Sequence, residues 1–73
     1  MTIEYCVDVD NKHSLAWFRF ALYGKLIEEL TSGLYGYIVS DIKEKEVMQP
    51  EINKMRLVLV VELYGKEDVV RID

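Results

Sequence analysis

The stretch Met55-Arg56-Leu57-Val58-Leu59-Val60-Val61-Glu62-Leu63 constrains the fold more than any other part of the chain. Every second residue from Met55 is apolar: Met55, Leu57, Leu59, Val61, Leu63. The alternate set, Arg56, Val58, Val60 and Glu62, is polar at its ends and apolar in its middle. A strict period of two means a strand, because successive side chains of a pleat point to opposite sides. A face made only of apolar residues needs a helix or a second sheet against it. The reading is a central strand with the other elements arranged to cover it.

A chain of 73 residues makes one domain, 1–73, with a thin core. A domain this short buries only about 60% of its unfolded surface. Its single cysteine, Cys6, excludes an intramolecular disulfide and any zinc set of cysteines. Apolar residues make up 51% of the chain, too many for disorder. Surplus apolar surface on a small domain is commonly covered by a partner or a second copy.

Nine basic and thirteen acidic residues give a net charge of −4. This opposes a broad electrostatic grip on nucleic acid or on an anionic membrane. Met1-Thr2-Ile3-Glu4 has no basic region and early acids interrupt any apolar run, so no signal peptide is expected. No segment reaches the roughly 18 apolar residues of a membrane helix. The expected setting is cytoplasmic.

Ile3, Tyr5, Val7 and Val9 alternate with Glu4, Cys6, Asp8 and Asp10, the pattern of a strand with one wet, acidic face. Asp10, Asn11 and Ser14 then offer cap oxygens for a helix that runs to about Thr31 or Ser32. Gly33 is the expected left-handed residue that stops it. Glu28 and Glu29 stand at the end of the macrodipole that disfavours negative charge, so packing must hold that end. On a wheel, Leu15, Ala16, Phe20, Leu22, Tyr23, Leu26, Ile27 and Leu30 share one broad arc, and Arg19 points into it. Lys25, Glu28, Glu29 and Ser32 lie opposite, with Trp17, Phe18 and Ala21 flanking or entering that polar sector.

Leu34 to Lys43 reads as a second strand with Tyr35, Tyr37 and Val39 on one face and Ile38 and Ile42 on the other. The charged run from Lys43 to Asn53, carrying the only proline, reads as a long connection with room for strand extensions at both ends. Tyr64-Gly65-Lys66-Glu67-Asp68 is a hairpin signal, and Val69 to Ile72 a short last strand. The expected fold is α+β, in the order βαβββ, with one helix across one face of a four-stranded, mostly antiparallel sheet.

Few constellations carry chemistry. Asp8, Asp10, Asn11 and His13 lack the glycine and distal glutamate of a calcium loop, and capping explains them better, so no metal site is expected. His13 is the sole histidine, and no nucleophile beyond the adjacent Ser14 is near it in sequence. No phosphate-binding glycine loop is present, so neither a cofactor nor enzyme activity is expected. Tyr35-Gly36-Tyr37-Ile38 resembles the middle of the RNP1 strand of the RNA-recognition motif, whose aromatics stack on bases. The family's leading basic-Gly pair is here Gly33-Leu34, and its final aromatic is Ser40. The resemblance implies a single-stranded nucleic-acid face of Tyr35 and Tyr37, with Lys54 and Arg56 across the hairpin.

The favoured feature is the helix. Its first three turns are apolar almost all round, and one sheet covers only one side. Trp17 and Phe18, beside the small Ala21 and Gly24, are the expected partner-binding residues. The sequence thus points to a small acidic protein-binding module, an adaptor, inhibitor or phage-type accessory protein, acting as a homodimer or as the obligate partner of a larger protein.

Overall fold

The computed structural model describes residues 1–65, in the order β1 (Thr2–Val9), α1 (Leu15–Leu30), β2 (Ile38–Gln49) and β3 (Lys54–Tyr64). The strands form one antiparallel sheet in the order β1-β3-β2. The last of the described strands in sequence is therefore the central one. Both neighbours run against β3, so β1 and β2 are parallel to each other, and β3 lies between them. The fold is α+β, as its periodicities require, with three strands among the described residues where four were expected. The hairpin and last strand expected beyond Gly65 lie outside the described residues.

The helix face of the sheet is set by register. Leu57, Leu59 and Val61 stand opposite Val7, Tyr5 and Ile3 of β1. On the other side Val61 and Leu63 stand opposite Ile42 and Val39 of β2. Over this row lies α1, with Phe18, Leu22 and Leu26 at spacings of four pointing into it. Among the described residues these three and Leu57, Leu59, Val61 and Leu63 are the buried hydrophobic ones, and no polar residue is buried with them. Leu15, Tyr23, Leu30 and Leu34 pack round the margin.

Ser14 is the N-cap of α1, its Oγ accepting from the Trp17 N–H at 3.2 Å. Asp10 organises the preceding turn, with Oδ1 accepting from the N–H groups of Lys12 and His13. At the other end, Thr31 Oγ1 and Ser32 Oγ both donate to the Glu28 carbonyl, at 2.9 and 2.8 Å. Hydroxyl groups, and not packing alone, hold the end that Glu28 and Glu29 disfavour. The left-handed residue is Gly36, at φ 95°, and not Gly33. It follows Tyr35 in a turn closed by the Tyr37 N–H on the Leu34 carbonyl, and glycine suits the third place of such a turn.

β2 departs most from the sequence reading. It begins at Ile38 and continues to Gln49, so the charged run is strand and only the four residues from Pro50 to Asn53 turn the chain. Asn53 takes the left-handed conformation, φ 51°, that asparagine tolerates in turns. The register shifts between Val39 and Asp41, leaving Ser40 unpaired. This bulge returns Val39 and Ile42, three residues apart, to the same face. Strict alternation had placed them on opposite faces.

Leu59 is 1% exposed at the centre of this row. Leu59→Ala is expected to destabilise the fold by about 2–5 kcal/mol, most of what so small a domain has. Urea denaturation measures it, and amide exchange is expected to be slowest along 55–63.

Candidate functional site

The broad apolar arc of α1 divides in two. Phe18, Leu22 and Leu26 face the sheet, and Phe20, two residues and about 200° round from Phe18, faces away. Phe18 is 3% exposed and Phe20 80%. Ile27, at 62%, lies on the same outward side, with Trp17 at its edge at 49%. Ala16 and Gly24 are exposed between them, and Tyr23 and Ala21 are half-buried on the flanks. Trp17, Phe20, Gly24 and Ile27 follow one another at spacings of three, four and three, the repeat of a helix-packing seam.

Of the four partner-binding residues expected from the sequence, Trp17 and Gly24 lie on this outward face and Ala21 borders it. Phe18 belongs to the core and cannot meet a partner without opening the fold. Phe20, Ile27 and Ala16, placed by the wheel with the core, are the residues missed. The signal was the ladder Phe18, Leu22, Leu26 at intervals of four. It fixes the direction of the sheet, and a single flat sheet covers only a limited arc about that direction.

Trp17 is held in place from the N-terminal side. The His13 ring stacks on it with centroids 4.1 Å apart, and Phe18 meets it edge-on at 5.1 Å. His13 Nδ1 lies 3.2 Å from Asp10 Oδ1. Asp10 is held below the usual carboxylate range, first by the Lys12 N–H it accepts from and then by His13. Ser14 is engaged as the cap, so His13 and Ser14 serve separate partners.

Two carboxylates fix α1 to the sheet. Glu44 of β2 takes Arg19 Nε at 2.9 Å and the Tyr23 hydroxyl at 3.3 Å. Arg19 thus meets a carboxylate rather than crossing the core. Glu29 accepts from the Tyr5 hydroxyl at 2.6 Å. Burial, then the Glu29 carboxylate, pushes the Tyr5 hydroxyl up to about 12. Burial and Glu44 push Tyr23 upward too.

The opposite sheet face carries Thr2, Glu4, Cys6 and Asp8 beside Glu62, Val60, Val58 and Arg56. Lys43, Lys45 and Val47 of β2 complete it. The nucleic-acid face expected from the sequence is not assembled here. Tyr37 adjoins Ile38, which pairs with Tyr64 at one end of β3, whereas Lys54 and Arg56 lie at the other. That separation is about 33 Å at the rise of a strand. Tyr35 and Gly36 lie in a turn rather than on a strand, so the RNP1 resemblance does not extend to the structure. Lys54 instead borders a cavity of about 660 Å³ shared with Asp10, Asn11, Lys12 and Asn53.

Among the described residues no strand pairs with the outer edge of β2, and that edge is lined with charge. Lys43 and Lys45 stand on the outer face, Glu44 and Glu46 on the helix face, by their pairing with Val60, Val58, Leu59 and Leu57. Two such edges aligned antiparallel over this run would set lysine against lysine and glutamate against glutamate. Like charges directly opposed destabilise a strand pair.

Among the described residues no group of three or more His, Cys, Asp or Glu is placed to hold a metal, and no helix is long and apolar enough to cross a membrane. No protein-family model, curated protein or solved structure matches this chain.

Asp8 joins all three strands at the turn end of the sheet. Its Oδ1 accepts from Arg56 Nε at 3.0 Å and Gln49 Nε2 at 2.9 Å. Arg56 first, then Gln49, holds the carboxyl below its ordinary 3.8. A depressed carboxylate adds stability that is present above 3.8 and lost as pH falls through the lower folded value. Carboxyl NMR titration of Asp8 is expected to give a midpoint below 3.8, and Arg56→Gln to raise it.

Proposed function

We propose that this chain is a small, acidic, non-enzymatic protein-binding module, of the adaptor, inhibitor or accessory kind, that acts as a homodimer or as the obligate partner of a larger protein. Its binding surface is the outward face of α1. One observation carries the reading: Phe20 is 80% exposed in the middle of a seam that also holds Trp17, Gly24 and Ile27. Covering a phenylalanine-sized side chain is worth roughly 1.5–3 kcal/mol, and nothing within the described fold covers this one. Scattered apolar residues on a surface need no explanation, but a contiguous stripe at helix-packing intervals does. A cytoplasmic location belongs to the same proposal, in keeping with a free, exposed Cys6. The rival reading, single-strand binding through Tyr35, Tyr37, Lys54 and Arg56, loses its support because those residues share no surface.

The double change Trp17→Ser, Phe20→Ser tests this. The wild-type chain is expected to run as a dimer or within a larger complex, in buffer or in nuclease-treated source lysate. The variant is expected to run as a monomer in both, with its far-ultraviolet spectrum unchanged. Phe18→Ala is the control, expected to lose about 3–5 kcal/mol of stability because its ring is in the core. Light scattering and circular dichroism read both. A wild-type chain that is monomeric under every condition contradicts the proposal.

A further inference from the structure

We infer that the outward face of α1 is covered by a second copy of the chain, the two helices antiparallel about a two-fold axis at the level of Leu22. The inference rests on the protein-binding reading above and adds the partner and the geometry.

Shape is the first argument. Such an axis sets Phe20 of each copy over Gly24 of the other, and Trp17 over Ile27. Gly24 has open space round it: a Cβ built there would meet nothing within 4 Å. Phe20, 80% exposed, is the knob for that gap. Parallel helices would instead stack Phe20 on Phe20 and leave Gly24 facing Gly24 across a void. Small residues at such a contact let helix axes approach closely.

Charge is the second, independent argument. The helix has no acid in its first turn and no base in its last. It carries Glu28 and Glu29 at its C-terminal end, where the macrodipole is negative. Alone, each helix has unfavourable charge at one end and none to meet the positive field at the other. The antiparallel pair brings each Glu28 level with the positive first turn of the second copy, on the flank of that copy's Trp17. The seam itself, Trp17, Phe20, Gly24 and Ile27, carries no charge to be stranded.

Area sets the strength. Aromatic side chains bury about 150–250 Å² each. At the exposures of Phe20, Ile27 and Trp17, each copy offers on the order of 400–500 Å² including the flanks, so a pair buries about 800–1,000 Å². This is below the roughly 1,200 Å² of a stable interface and within the range of weak, transient pairs, so the dimer is expected to dissociate on dilution in the micromolar range or above it.

Sedimentation of wild type, Gly24→Leu and Glu28→Lys across a dilution series tests the inference. Leucine is a better helix former than glycine and has room on the free chain. Gly24→Leu is therefore expected to keep or raise the melting temperature while weakening dimerisation at least tenfold, because the seat for Phe20 is filled. Glu28→Lys is expected to weaken it as well, less at high salt. A wild-type chain that stays monomeric at the highest soluble concentration overturns the second copy as partner. In that case loss of a heterologous complex in Trp17→Ser, Phe20→Ser would still uphold the protein-binding reading. A Gly24→Leu chain that dimerises as well as wild type overturns the antiparallel seat.

Discussion

Leu57, Leu59, Val61 and Leu63 stand in a row beneath Phe18, Leu22 and Leu26, and among the described residues those seven are the ones the fold hides from water. One strand and one helix supply all of them. The strand is bonded on both edges, to β1 and to β2, so its backbone is satisfied whichever way it is approached. The helix contributes its part through residues four apart, the spacing that keeps side chains on one line. Everything else is margin: half-buried residues of β1, the turn after α1, the bulged start of β2. In a chain this small no second cluster can take over if the row is broken.

A core so narrow uses a narrow arc of the helix. The remaining apolar residues, Phe20 and Ile27 above all, are left outside with Trp17 beside them. Their place is fixed by the same packing that buries Phe18. Arg19 and Tyr23 on Glu44, and Tyr5 on Glu29, tie the helix to β2 and β1 in that same orientation. These exposed ion pairs and hydrogen bonds are individually weak, about 1 kcal/mol or less, but they act on orientation as much as on stability. The charged edge of β2 meanwhile discourages self-pairing through the sheet.

Three elements were legible from periodicity. β1 and β3 obey an alternation that nothing interrupts, and the helix starts at Ser14, one of the expected caps, although Gly33 does not stop it. β2 was legible only in part, as the strand read over Leu34 to Lys43, and its extent was hidden for two physical reasons. Its bulge at Ser40 breaks the period where the strand should announce itself. Beyond it, Lys43-Glu44-Lys45-Glu46 alternates in sign of charge rather than in polarity, because an edge strand running past the helix needs no apolar face there. Gly33 and Gly36 were equally eligible to reverse the chain, and only the turn on Leu34 decides between them. The wheel recognised that the helix was too apolar for one sheet, but it could not tell which part of a wide arc the sheet would take. That is why Phe18 is buried and Phe20 exposed where the wheel suggested the reverse, while Trp17 and Gly24 are exposed as expected.

The division of α1 into a core face and a solvent face is open to direct measurement. Hydroxyl-radical footprinting at low concentration, read residue by residue by mass spectrometry, reports the accessibility of Phe18 and Phe20 in the same helix. The account predicts rapid oxidation of Phe20 and protection of Phe18, with Trp17 between them. Equal protection of Phe20 and Phe18 in the monomer would mean that the fold covers the outer face itself, and would contradict the account.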